Sequence, residues 1–158
     1  MLEIAVITVS DRAFRGEYRD LSGPTIVDLI SQSTLQANVS LTIVPDNEAQ
    51  IRTAVLQNIG KDYIITTGGT GISPRDITPE VTETICEKSI PGIAEMLRLH
   101  SYKETPYAVF SRGYCGLRGQ TIIVNFPGSV KAVTLCTGLL LPLMEHGIKM
   151  LHGGKHEK

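Results

Sequence analysis

Between positions 66 and 76 the chain reads Thr66-Thr67-Gly68-Gly69-Thr70-Gly71-Ile72-Ser73-Pro74-Arg75-Asp76, residue types suited to holding an anion against the backbone. Three glycines around Thr70 let the chain turn sharply and approach a ligand with no Cβ in the way. The N–H groups such a loop exposes form an anion-binding concavity. The run has neither the lysine nor the Ser/Thr of GxxxxGK[ST], and it is not GxGxxG. The charge that neutralises a phosphate here must come from elsewhere, most simply a divalent cation. Asp76 closes the run, and Asp46 follows another apolar stretch at Val44-Pro45. Magnesium takes one or two such carboxylates together with substrate phosphate oxygens and waters. Each aspartate also suits a plain turn in which it bonds its own backbone. Arg75 suits a phosphate contact and a surface ion pair equally.

Further polar clusters sit where apolar runs end. Ser10-Asp11 follows the first run. Ser22-Gly23-Pro24 opens a helix, with Ser22 as N-cap and Pro24 in the first turn, and such a terminus attracts phosphate. Ser111-Arg112 and Pro127-Gly128-Ser129 complete the set. Each has a local structural reading as well, so their convergence counts for more than any one of them.

The elements that position them follow from pattern. Ile4–Val9 is a continuous β-branched run, as in a strand covered on both faces. A helix from Ser22 to about Ser33 precedes a strand at Asn38–Val44. A helix from Glu48 to about Asn58 precedes a third strand at Asp62–Thr66. This β-α-β-α-β order predicts an α/β fold, with a mainly parallel sheet between two helical layers. Helices follow at Thr78–Glu87, with Thr78 as N-cap before Pro79, and at Pro91–His100. Strands are expected at Tyr107–Ser111 and Thr121–Asn125 around a Gly113–Gly119 turn, one strand being antiparallel to the rest. The last helix begins after Pro127-Gly128-Ser129 and is broken or kinked at Pro142. In an open α/β sheet ligands bind beyond the carboxyl ends of the strands, where Ser10-Asp11, Asp46, Gly68–Gly71 with Asp76, Ser111-Arg112 and Asn125 through Ser129 fall.

Composition narrows the function. The 158 residues suit one domain, 1–158, burying roughly 70% of its unfolded surface. A net charge of −1 and the absence of tryptophan give no footprint for nucleic acid or an anionic membrane. Three scattered cysteines form no metal spacing and read as buried thiols. The first nine residues read as a strand rather than a leader, and no apolar run spans a bilayer, so a cytoplasmic protein is expected.

Taken in order, these segments resemble the molybdopterin adenylyltransferase family of MogA, MoaB and gephyrin-type G domains. The matching pieces are Thr8-Val9-Ser10-Asp11, Asp20-Leu21-Ser22-Gly23-Pro24, Val44-Pro45-Asp46, Thr67–Gly71 through Asp76, and Thr78-Pro79-Glu80. They continue with Ile90-Pro91-Gly92, Ser111-Arg112, Cys115-Gly116-Leu117-Arg118-Gly119 and Asn125-Phe126-Pro127-Gly128-Ser129. The resemblance implies a three-layer α/β/α sandwich assembling as a homotrimer. It also implies transfer of AMP from Mg²⁺-bound ATP to the terminal phosphate of molybdopterin, with pyrophosphate released. On that resemblance Asp46 and Asp76 are catalytic and hold Mg²⁺. Gly68, Gly69, Thr70 and Gly71 take phosphates. Ser10, Asp11, Ser22, Gly23, Ser111, Arg112, Pro127, Gly128 and Ser129 hold substrate or nucleotide. A molybdenum-insertion enzyme is a partner of such a protein. The alternative of a different class is a MoaB-type molybdopterin-binding protein or scaffold without transfer. CinA-like and MoeA-type domains share the GGTG loop but belong to longer chains and lack this Pro74-Arg75-Asp76 continuation.

Overall fold

Residues 1–154 are described in the computed structural model. The strands are β1 (Leu2–Val9), β2 (Ala37–Val44), β3 (Tyr63–Thr67), β4 (Lys88–Ser89), β5 (Cys115–Arg118) and β6 (Thr121–Phe126). The helices are α1 (Asp11–Phe14), α2 (Ser22–Gln32), α3 (Glu48–Gln57), α4 (Thr78–Ile85), α5 (Pro91–Glu104) and α6 (Val130–Leu151), with a 3-10 turn at Pro106–Phe110. One six-stranded sheet has the order β2-β1-β3-β6-β5-β4. The first four strands in that order are mutually parallel, and β5 runs antiparallel to both its neighbours.

Helices cover both faces of the sheet, giving three layers. On one face Ile4, Val6, Ile65 and Val124 pack with Ile26 and Ile30 of α2, Leu97 of α5, and Val133, Leu140 and Met144 of α6. On the other, Ala5, Ile7, Ile64 and Ile123 meet Ile51 and Val55 of α3 and Val81 and Ile85 of α4. The period-two alternation of strand side chains sends successive residues to opposite layers, which is why β1, β3 and β6 read as unbroken apolar runs. Burying each isoleucine contributes about 1.5–3 kcal/mol. The three thiols lie in these layers without disulfides, and burial pushes Cys115 up to about 12.

Several local expectations need correction. Tyr107–Ser111 is not a strand: Pro106–Phe110 forms the 3-10 turn, with Tyr107, Val109 and Phe110 exposed. The antiparallel strand is Cys115–Arg118, within the expected turn, and it reverses into β6 at Gly119 (φ +56°). Thr78 is not an N-cap but the first residue of α4; Ile77 occupies the cap without a side-chain bond. Ser22 likewise lies inside α2. The capping acceptor is Asp20, whose Oδ1 takes the Gly23 N–H and the Ser22 hydroxyl, both at 3.2 Å. Helix α6 continues through Pro142. The ring removes the N–H that would bond Gly138 O.

The register fixes the site. Val9 lies opposite Val44 and Thr8 opposite Thr67, which in turn faces Phe126. Four parallel strands therefore end side by side. Chain order turns back between β1 and β3, where β2 has gone to one side of β1 and β3 to the other, so the crevice opens there.

Candidate active site

Beyond β3 the chain enters the glycine loop. Gly68 adopts φ +99°, and a Cβ there would stand 2.3 Å from Val9 O; Gly69 follows at φ +67°. Only a residue without a side chain fits both the left-handed backbone and the close approach to β1. Gly68 N–H donates to Phe126 O at 3.2 Å, and the Thr67 hydroxyl donates to Pro127 O at 2.7 Å. Gly128 packs against Gly68, its missing Cβ position 3.3 Å from Gly68 Cα.

Two aspartates stand against this loop. Asp46 Oδ1 lies 3.2 Å from where a Gly69 Cβ would be, and Asp76 Oδ2 lies 2.8 Å from the corresponding position of Gly71. Asp46 is tied to Asp11 reciprocally: Asp11 N–H donates to Asp46 Oδ2, and Asp46 N–H donates to Asp11 Oδ1, both at 3.0 Å. Asp11 Oδ2 accepts from the Arg75 guanidinium. Asp76 Oδ2 accepts from Ser73 N–H at 3.0 Å. Each of Asp46 and Asp76 thus keeps one carboxylate oxygen without a hydrogen-bond donor among the described residues. Burial raises the Asp46 carboxyl above its ordinary range; the Asp11 N–H bond lowers it in part, and the negative fields of Asp11 and Asp76 raise it further. Ser10 begins α1 as its N-cap, accepting from Ala13 N–H at 3.2 Å.

These residues line a polar pocket of about 470 Å³ that holds Ser10, Asp11, Asp46 and Asp76 with Arg12, Arg15 and Arg75. A second cavity, about 300 Å³, is lined in part by Thr70 and Gly71. It is lined mainly by apolar groups, among them Ala94, Leu97, Phe110 and Pro127, with Ser111 and Ser129 among its polar groups. Gly71 lines this apolar slot, while Asp76, whose Oδ2 stands against Gly71, lines the charged pocket.

Ser22 and Gly23 line neither space. They serve the start of α2 around Asp20, which is buried and also accepts from the Thr8 hydroxyl at 2.7 Å. Arg112 lies beside the loop with its guanidinium turned onto Gly71 O, Asp76 O and Glu80. Sequence reasoning passed over Asn125 as a joint. Its amide donates to Thr66 and Thr82 hydroxyls, both at 2.9 Å, and its Oδ1 accepts from Tyr114 N–H at 3.1 Å. A polar residue ending an apolar strand was the available signal. Beneath Gly69 the Thr78 hydroxyl is buried without a hydrogen-bond partner among the described residues.

No group of three or more His, Cys, Asp or Glu among the described residues could cage a metal. Two carboxylates with one open oxygen each suit a cation that draws its other ligands from phosphate and water, as magnesium does.

A family model described as "Probable molybdopterin binding domain" matches residues 5–146. The chain belongs to this molybdopterin-binding family. It is 36% identical over 156 residues to a protein of Helicobacter pylori named molybdopterin adenylyltransferase, covering 96% of this chain and 89% of that one. It is 38% identical over 153 residues to the molybdenum cofactor synthesis protein cinnamon of Drosophila melanogaster, covering 95% of this chain but only 26% of that longer protein. The crystal structure of the molybdopterin biosynthesis enzyme MoaB from Thermus thermophilus superposes with a TM-score of 0.87 at 35% identity, covering 99% and 100% of the two chains. Superposition over the whole of both chains shows that the mixed sheet is shared with that enzyme.

Proposed function

We propose that the protein transfers the adenylyl group of ATP to the terminal phosphate of molybdopterin. The observation that carries this reading is the pair of half-satisfied carboxylates, Asp46 and Asp76, against one glycine loop between a charged pocket and an apolar slot. Two polyanions must be brought together, so charge neutralisation and alignment supply most of the rate. An ionised oxygen of the molybdopterin phosphate attacks the α-phosphorus of ATP. A new P–O–P bond forms, the bond to the β-bridging oxygen breaks, and its electron pair leaves with pyrophosphate. Since the attacking phosphate is already ionised at neutral pH, no strong general base is required. Magnesium, when bound, neutralises the charge shared by the phosphates.

The chain's own groups orient the reactants. Asp46 and Asp76 present their open oxygens to the cation, and Asp11 holds Asp46 through the reciprocal clamp. Backbone N–H groups of Gly69–Gly71 donate to phosphate oxygens, that of Gly68 being spent on Phe126 O, while Ser111, Pro127 and Ser129 border the slot for a ring system. We also place the protein in the cytoplasm as a homotrimer that passes its product to a molybdenum-insertion enzyme. Exposed Tyr107, Val109 and Phe110 beside the slot support an assembly that covers them. No helix among the described residues is long and apolar enough to cross a membrane.

Replacement of Asp76 separates this reading from simple molybdopterin binding. Asp76→Ala should lower adenylyl transfer by on the order of 10²–10³-fold, with molybdopterin affinity little changed in calorimetry. Full turnover by the folded variant would sink the assignment.

A further inference from the structure

Arg112 was expected to touch substrate, yet each of its guanidinium nitrogens is committed within the protein. Nε donates to Gly71 O at 2.8 Å, Nη2 donates to Asp76 O at 2.7 Å, and Nη1 pairs with Glu80. Its own backbone N–H donates to Thr70 O at 2.8 Å. One residue therefore grips the loop that ends in Asp76 at three carbonyls, at positions 70, 71 and 76. The planar fork of a guanidinium makes such divergent, directed bonds; an ammonium does not. Glu80 is held in charged form for this purpose. Burial opposes its ionisation, but the bond from Arg112 and the attraction between them outweigh that and draw its carboxyl below the ordinary range.

The segment bearing Arg112 is braced in turn. Arg98 of α5 donates from Nη1 to Ser111 O and to Gly113 O, both at 3.1 Å, bracketing Arg112 on either side. A chain of contacts thus runs from α5, through 111–113, to the loop and to the backbone of Asp76. Within the loop itself the Asp76 carboxylate has only the Ser73 N–H as a hydrogen-bond donor.

We propose that Arg112, bracketed by Arg98, is a positioning residue that fixes loop 70–76 and so aims the open oxygen of Asp76. This deepens the adenylyl-transfer reading, on which the role of Asp76 rests. Removing a partner that orients a metal ligand typically costs 10–100-fold in metal affinity or activity.

The test compares the full-length wild type with Arg112→Lys. For Arg112→Lys we expect kcat to fall about 10–100-fold and the Mg²⁺ concentration for half-maximal rate to rise, while KM for molybdopterin stays near wild type. Amide hydrogen exchange should quicken at 73 and 76 and stay unchanged in β1 and β3. Glu80→Gln leaves the three carbonyl contacts in place and should show the same pattern more weakly; it serves if the lysine variant folds poorly. Unchanged exchange in the loop, or a rise confined to KM for molybdopterin, would overturn the proposal, the latter showing direct substrate contact. The exchange measurement needs no turnover, so absence of adenylyl transfer by the wild type would sink the parent reading and leave this one standing or falling on the loop.

Discussion

Asp46 pays for its place in the pocket. Burial, with the fields of Asp11 and Asp76, raises its carboxyl above the ordinary 3.8 despite the bond from Asp11 N–H. A group whose folded-state value is raised binds more protons in the folded than in the unfolded chain. Its contribution to stability is therefore full below 3.8 and is lost as pH rises through the raised value. At neutral pH the ionised carboxylate is a standing cost in the cation-free protein, offset when a cation arrives. Asparagine keeps an acceptor for Asp11 N–H and removes the charge. We expect Asp46→Asn to melt at a higher temperature than wild type at neutral pH without magnesium, and to lose the decline just above pH 3.8. Calorimetric melts across pH check this, and a lower melting temperature at neutral pH would contradict it. Such a gain in stability with loss of function is the trade-off expected at a working site.

The glycine loop is the element that holds the fold to the site. Its cost is separable by comparing two glycines. Gly68 and Gly60 both have positive φ, +99° and +105°, but an added Cβ meets Val9 O at 2.3 Å in the first case and nothing within 4 Å in the second. Gly60→Ala should lose about 1–2 kcal/mol from the left-handed backbone alone. Gly68→Ala should lose clearly more in denaturant unfolding, because the end of β1 must move. Equal losses would show that the close approach to β1 carries no energy. Which elements were legible follows from the same physics. β1, β3 and β6 announced themselves because both faces are covered, leaving unbroken apolar runs. β4 is two exposed residues, Lys88–Ser89, and β5 is Cys-Gly-Leu-Arg; neither has length or alternation enough to stand out. Tyr107–Ser111 has the composition of a strand, but β4 already ends the sheet on that side, and Pro106 starts a 3-10 turn instead. That Ser10, Asp46 and Asp76 share one pocket was legible because strand ends in an open α/β sheet gather polar residues at one crevice. The work of Asn125 and Arg112 was not, because their partners lie on other elements, up to 59 residues away in the chain for Asn125 and Thr66.

At the scale of the whole molecule, topology and chemistry agree. Strand order β2-β1-β3-β6 puts four parallel strand ends in line, and the switch between β1 and β3 opens the crevice that the loop then divides. The loop at the end of β3 contributes Asp76 to a charged pocket and Thr70 and Gly71 to an apolar slot, which suits a reaction joining two phosphate-bearing heterocycles. Membership of the molybdopterin-binding family supplies one reactant class, and the two half-satisfied carboxylates argue for transfer over binding alone. The direct test follows a label from the α-phosphate of ATP when the purified protein is mixed with magnesium and molybdopterin. The account predicts that the label moves onto molybdopterin with one pyrophosphate released per transfer, and only when both substrates and magnesium are present. Tight binding of molybdopterin with all label remaining in ATP would contradict it.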